Sequence, residues 1–146
     1  MKLEDQVCAI EYAQRLKEVG IKQDSLIHWM KRETVIHGNY NEEGDWIREH
    51  EKTEYEFVLG SPYVWNIEKE CCWSAFTVSE LGKLIPYSID DGVDFYYPTY
   101  TKHHKYYRVQ LIADTNKMLE SLIGDTEANA RALMLIYLIE NGLVKV

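Results

Sequence analysis

The chain has 146 residues, 46% hydrophobic and 27% charged, with a formal net charge of −8. A single domain of ordinary globular composition accommodates that length and can bury a core without disulfide or metal staples. Wholesale disorder is excluded, and so is a bilayer-spanning helix, because no apolar run approaches the roughly 20 residues a span needs.

In chain order, residues 5–19 carry the period of an amphipathic helix. Val7, Ile10, Ala13 or Leu16 and Val19 recur at threes and fours, while Glu11, Gln14, Arg15, Lys17 and Glu18 take the wet side. Asp5 is placed to cap its start and Gly20 to end it. Ser25 to Met30 fits either a buried strand or the start of a second helix, a choice a short apolar run leaves open. From Thr34 to about Lys69 the signals are those of strands and turns. Gly38-Asn39 and Glu43-Gly44-Asp45 read as turns, and Tyr55, Phe57 and Leu59 alternate with Glu54, Glu56 and Val58 in a half-buried strand. Tyr63-Val64-Trp65 is expected to start another.

Thr77, with Glu80 three residues on, has the spacing of a capping box, so a short helix is expected from Val78 to Leu84, stopping near Pro86. Residues 95–113 are rich in Tyr, Val and Thr and predict one or two strands, with a turn near Lys102-His103-His104. Asp114 is expected to cap a short helix running to Ile123. The last helix begins after Asp125 and runs to Asn141, with Gly142 beyond its end. Its stretch from Ala132 to Ile139 is apolar on nearly every side, as in a core helix. The order predicts one α+β domain over residues 1–146: an N-terminal helix, an antiparallel sheet and a C-terminal core helix packed on it.

The charge is unevenly spread. Glu42 to Glu56 holds seven acids and two bases, whereas no acid lies between Phe95 and Arg108. The net charge disfavours a duplex-DNA partner, and the acidic segment suits a basic one. Cys8, Cys71 and Cys72 form no secreted disulfide framework and no C-x-x-C pair, so free thiols in a reducing compartment are expected. The N-terminus has acids where a signal peptide has its apolar stretch, which points to the cytoplasm.

Three segments are candidate sites. The first is residues 42–56, in which Glu42, Glu43, Asp45, Glu49 and Glu51 would meet a partner, with Trp46 as an aromatic anchor. The second is residues 96–108, where aromatic faces suit bases and cations suit phosphate. On a continuous strand, Tyr100, Lys102, His104, Tyr106 and Arg108 would share one side; a hairpin would instead cluster Lys102 to Lys105 at its tip. A nucleotide or other small ligand is the expectation there. The third, residues 12–29, resembles a helix-turn-helix in which Lys22, Gln23, Ser25 and His28 would face a major groove. Leu16 stands where that motif expects a small residue.

No G-x-S-x-G, phosphate-binding Gly-rich loop or H-E-x-x-H is present. No catalytic residue, cofactor or metal ligand is therefore assigned, and enzymatic activity is not expected. His28, His37, His50, His103 and His104 show no metal-ligand spacing.

Three blocks resemble an uncharacterised family of short proteins from gut Bacteroidales and their phages or prophages. The first is Val7-Cys8, Glu11, Ala13, Leu16-Lys17, Gly20, Lys22-Gln23, Ser25-Leu26 and Trp29. The second is Ser74-Ala75-Phe76-Thr77-Val78, Glu80-Leu81-Gly82 and Pro86. The third is Ala130-Arg131-Ala132, Met134-Leu135-Ile136-Tyr137-Leu138 and Glu140-Asn141. The blocks frame about half of the chain, and Ser79 and Ile85 depart from the usual pattern. The resemblance implies a small accessory protein of mobile elements and brings no functional residue with it. The combined expectation is a small acidic non-enzymatic protein that binds a host protein, for example as a counter-defence inhibitor. A nucleotide binder and a DNA-binding regulator are the alternatives, and a homo-oligomer is compatible with each.

Overall fold

The computed structural model describes residues 3–40, 42–43, 46–59 and 71–145, and at residues 4, 32–40 and 46–52 it describes the backbone alone. Helix α1 (Ile10–Glu18) is shorter than its periodicity suggests, and Ala9, not Asp5, is its N-cap. The reason is a non-local pairing. The Cys8 N–H donates to the Phe76 carbonyl at 2.9 Å, and the Val78 N–H donates to the Gln6 carbonyl at 3.2 Å. Residues 6–8 are thereby held extended, and Val7 bridges Thr77. Ala13 and Leu16 carry the buried face of α1.

Beyond Gly20 the chain runs without helix into strand β1 (Ile27–Tyr40), which corrects the helix-turn-helix expectation. Ser25 and His28 are buried, at 5% and 2% exposure, so neither can present a recognition face. β1 pairs antiparallel with β2 (Trp46–Leu59) in a continuous register from Ile27↔Leu59 to Val35↔Glu51. His37 then faces His50 and Gly38 faces Arg48, so Ile36 and Glu49 are extra residues on opposite strands. The second insertion cancels the first, and Tyr40 still meets Trp46. Gly38 and Asn39, expected to turn, are paired inside the strand.

The short strand β3 (Cys72–Ser74) covers the other edge of β1, but only from His28 to Met30. Trp29 roots this sheet in the core. Its ring lies 3.9 Å from that of Phe57, its cross-strand partner, and its indole N–H donates to the Cys8 carbonyl at 2.9 Å.

Helix α2 (Val78–Leu84) has the expected capping box: Thr77 Oγ1 accepts the Glu80 N–H, and Glu80 Oε2 accepts the Thr77 N–H at 2.7 Å. A second sheet follows in the order β4 (Ile89–Asp90), β5 (Phe95–Lys102), β6 (Tyr107–Ala113), β7 (Met118–Gly124), antiparallel throughout. β7 occupies the segment expected to be a helix after Asp114. Its apolar residues recur at helical spacing, but Asn116 adopts φ 61° in a tight turn closed by the Ala113 N–H on the Lys117 carbonyl. That turn commits the chain to a hairpin with β6.

Helix α3 (Glu127–Glu140) packs against β6 and β7 and against α1 and α2. Ala128, Ala130, Ala132, Met134, Leu135 and Leu138 have no exposed surface, so α3 is the central element its apolar sequence predicts. Gly142 (φ 69°) ends it as expected. Among the described residues, three α-helices and two antiparallel sheets make an α+β fold, with the N- and C-terminal helices packed against a sheet. Among them no helix is long and apolar enough to cross a membrane.

Candidate functional site

The acidic segment lies on the β1–β2 hairpin. β3 stops at Met30, so from Lys31 outward the two strands pair with no third strand among the described residues. Ten residues at about 3.3 Å each make this a ribbon roughly 30 Å long. Glu42 and Glu43 are exposed in the turn at its end. Trp46 is the first residue of β2, Glu49 is the bulge residue and Glu51 pairs with Val35. The side chains of Trp46, Glu49 and Glu51, and the whole of Asp45, lie outside the described residues, as does the expected strand start at Tyr63 to Trp65. The backbone nonetheless brings Glu42, Glu43, Trp46, Glu49 and Glu51 to one distal stretch. Residues 32–54 carry seven acids against three bases, so the ribbon is a negatively charged arm.

The second candidate segment is a hairpin. β5 and β6 are joined through residues 103–106, and the His103 N–H donates to the Tyr106 carbonyl at 2.8 Å. This corrects the single-strand alternation. Tyr100 pairs with Val109 and Lys102 with Tyr107, so these four share the face toward α3, while Arg108 pairs with Thr101 on the opposite face. His104 and Lys105 are exposed in the turn. Tyr106 stacks on His103, with ring centroids 4.4 Å apart, and its hydroxyl accepts from Arg108 Nη2 at 3.3 Å. The six residues are thus gathered at one end of the sheet but divided between its faces.

At this end of the sheet, Tyr100, Lys102, Tyr107, Val109 and Glu127, together with Thr101 and Arg108, line a pocket of about 320 Å³. Glu127 stands in the first turn of α3 and accepts from Arg131 at 2.6 Å. The Arg131 guanidinium lies 3.9 Å from the Tyr100 ring centroid, and Lys102 Nζ lies 5.6 Å from that of Tyr107. Burial pushes the Tyr100 hydroxyl up from its ordinary pKa, with Arg131 opposing and Glu127 adding. Sequence reasoning passed over Glu127, Arg131 and Tyr107. The signal available was a Glu–Arg pair four residues apart on a helix otherwise almost free of charge.

Two of the three thiols are shifted away from reactivity. Cys8 is fully buried, and burial pushes it up to about 12. Cys72 is raised by burial first and by Cys71 second, with Lys17 opposing. Reactive cysteines need the opposite shift. Among the described residues no three His, Cys, Asp or Glu side chains are grouped to hold a metal ion. No family model, curated protein or solved structure matches the chain.

Proposed function

We propose that the protein is a non-enzymatic binding module that docks its acidic β1–β2 arm on a basic surface of a host protein. One observation carries this reading: the arm runs about 30 Å past the end of β3 as a ribbon whose strands have no further partner among the described residues. An isolated two-stranded ribbon is marginally stable in water, and its open edges suit pairing with another chain. The excess of acid along it steers encounter with positive surfaces and suppresses association with phosphate backbones and with other acidic arms.

The resemblance to short Bacteroidales and phage proteins supports a host component as the partner and a mobile-element origin for the chain. A DNA-binding regulator is less favoured, because the segment read as a recognition helix is a strand with Ser25 and His28 buried. Native mass spectrometry of the protein isolated at low salt from its host tests the proposal. An added mass on the order of tens of kilodaltons, as proteins and domains have, and not a multiple of the 17.2 kDa chain, is expected. Bare multiples of the chain alone would contradict it.

A further inference from the structure

We propose that the β5–β6 hairpin end holds a second, separate binding site, for a ligand that joins a planar base to a phosphate. The pocket there is about 320 Å³, at the small end of the roughly 300–1,000 Å³ typical of ligand sites. Its walls include two tyrosines, Tyr100 and Tyr107, which offer ring surface to a base. Arg131 backs Tyr100 but is not among the pocket-lining residues. That arrangement fixes the ring while leaving the pocket side open.

The phosphate end has cations waiting. Lys102 lines the pocket and Lys105 is exposed in the adjoining turn, and among the described residues neither they nor Arg108 has a carboxylate partner. Arg131, which packs on Tyr100, differs: it is held by Glu127. The one acid in the pocket, Glu127, is therefore already compensated. It also stands in the first turn of the 14-residue helix α3, which thereby contributes to the pocket wall. Aromatic walls and an uncompensated ammonium converge on one cavity. Their shared chemistry fits a free mononucleotide or the end of a single strand.

Calorimetric titration of the full chain with AMP, GMP, CMP and UMP, with adenosine, with inorganic phosphate and with a short oligo-dT tests this. NMR shift mapping locates the site. At least one nucleotide or the oligonucleotide is expected to bind with shifts at Tyr100, Lys102 and Tyr107. Lys102→Met should weaken that binding about tenfold, as loss of one charge-assisted contact does, and Lys83→Met on exposed α2 should leave it unchanged. Oligo-dT binding without mononucleotide binding assigns the ligand to a single strand; the reverse assigns it to a free nucleotide. No binding by either, equal affinity for inorganic phosphate alone, or shifts that avoid the pocket would overturn the proposal. Lys102 is exposed, so the variant is expected to fold, and an unchanged thermal midpoint verifies that it has.

Discussion

The indole N–H of Trp29 donates to the backbone carbonyl of Cys8 at 2.9 Å, and this bond ties the root of the arm to the strand-like segment that precedes α1. Cys8 itself is fully buried. Trp29→Phe keeps the stack on Phe57 but leaves that carbonyl without its donor. The expected loss is about 1–2 kcal/mol, read as a lower urea midpoint at constant m. Equal stability of the two proteins would show that the bond contributes nothing to anchoring the arm.

Asn129 makes a comparable tie one residue further on, at the head of α1. Its Oδ1 accepts the Ala9 N–H at 2.7 Å, and its Nδ2 donates to Asp125 Oδ1 at 2.7 Å. Among the described residues it is one of few buried polar ones, at 5% exposure. Asn129→Ala strands the N–H at the head of α1 and is expected to cost about 2–3 kcal/mol, lowering the thermal midpoint by roughly 5–10 °C. Asn129→Asp retains an acceptor for Ala9 but sets a carboxylate beside Asp125, so it should recover only part of the loss.

Gly124 closes β7 under the first turn of α3. A Cβ built there would fall 2.9 Å from both the Ala130 Cα and the Asn129 carbonyl carbon, closer than real Cβ contacts come. Both are backbone atoms that no rotamer change can move. Gly124→Ala is therefore predicted to destabilise by more than about 2 kcal/mol, against the few tenths typical of exposed strand positions. A variant as stable as the parent would mean that α3 shifts freely on the sheet.

Cys8 supplies a pH dependence. Its thiol is raised from 9.0 to about 12 in the fold, burial being the main cause. Above pH 9 the unfolded chain loses this proton and the folded one keeps it, so stability falls as pH rises toward 12. The slope attributable to the thiol is at most about 1.4 kcal/mol per pH unit. Cys8→Ala should flatten that part of the stability profile. In the native state at neutral pH, Cys8 should also resist alkylation until denaturant is added.

The elements legible in the sequence were those whose signals are local. The Thr77–Glu80 box, the apolar run from Ala132 to Ile139 and the turn near His103 each announce themselves within a few residues, and each is where it was expected. The errors share one cause, strand pairing that overrides the local pattern, whether across the chain or within a hairpin. Residues 6–8 continue the period of α1 yet are claimed by Phe76 to Val78. Met118, Leu119, Leu122 and Ile123 are spaced as on a helix, yet the Asn116 turn returns them along β6. Gly38-Asn39 has turn composition but lies beside a compensated bulge pair inside a long hairpin.

Of the candidate sites, the acidic arm was legible as a charge run, but its geometry required knowing that β3 is so short. The pocket required α3 to bring Glu127 and Arg131 to Tyr100, residues 27 or more positions away in the chain. No spacing rule reaches that far.

The measurement that tests the central claim most directly compares the arm with and without its charge in the same complex. The protein and a Glu42→Lys, Glu43→Lys, Glu54→Lys variant are isolated identically, and the yield of heteromeric complex is measured by native mass spectrometry at increasing salt. All three residues are exposed on or near the arm. With the arm as the docking surface, the parent should carry a partner whose retention falls with salt, and the variant should lose it at least tenfold at low salt. A partner retained equally by both would place the interface elsewhere and contradict the account.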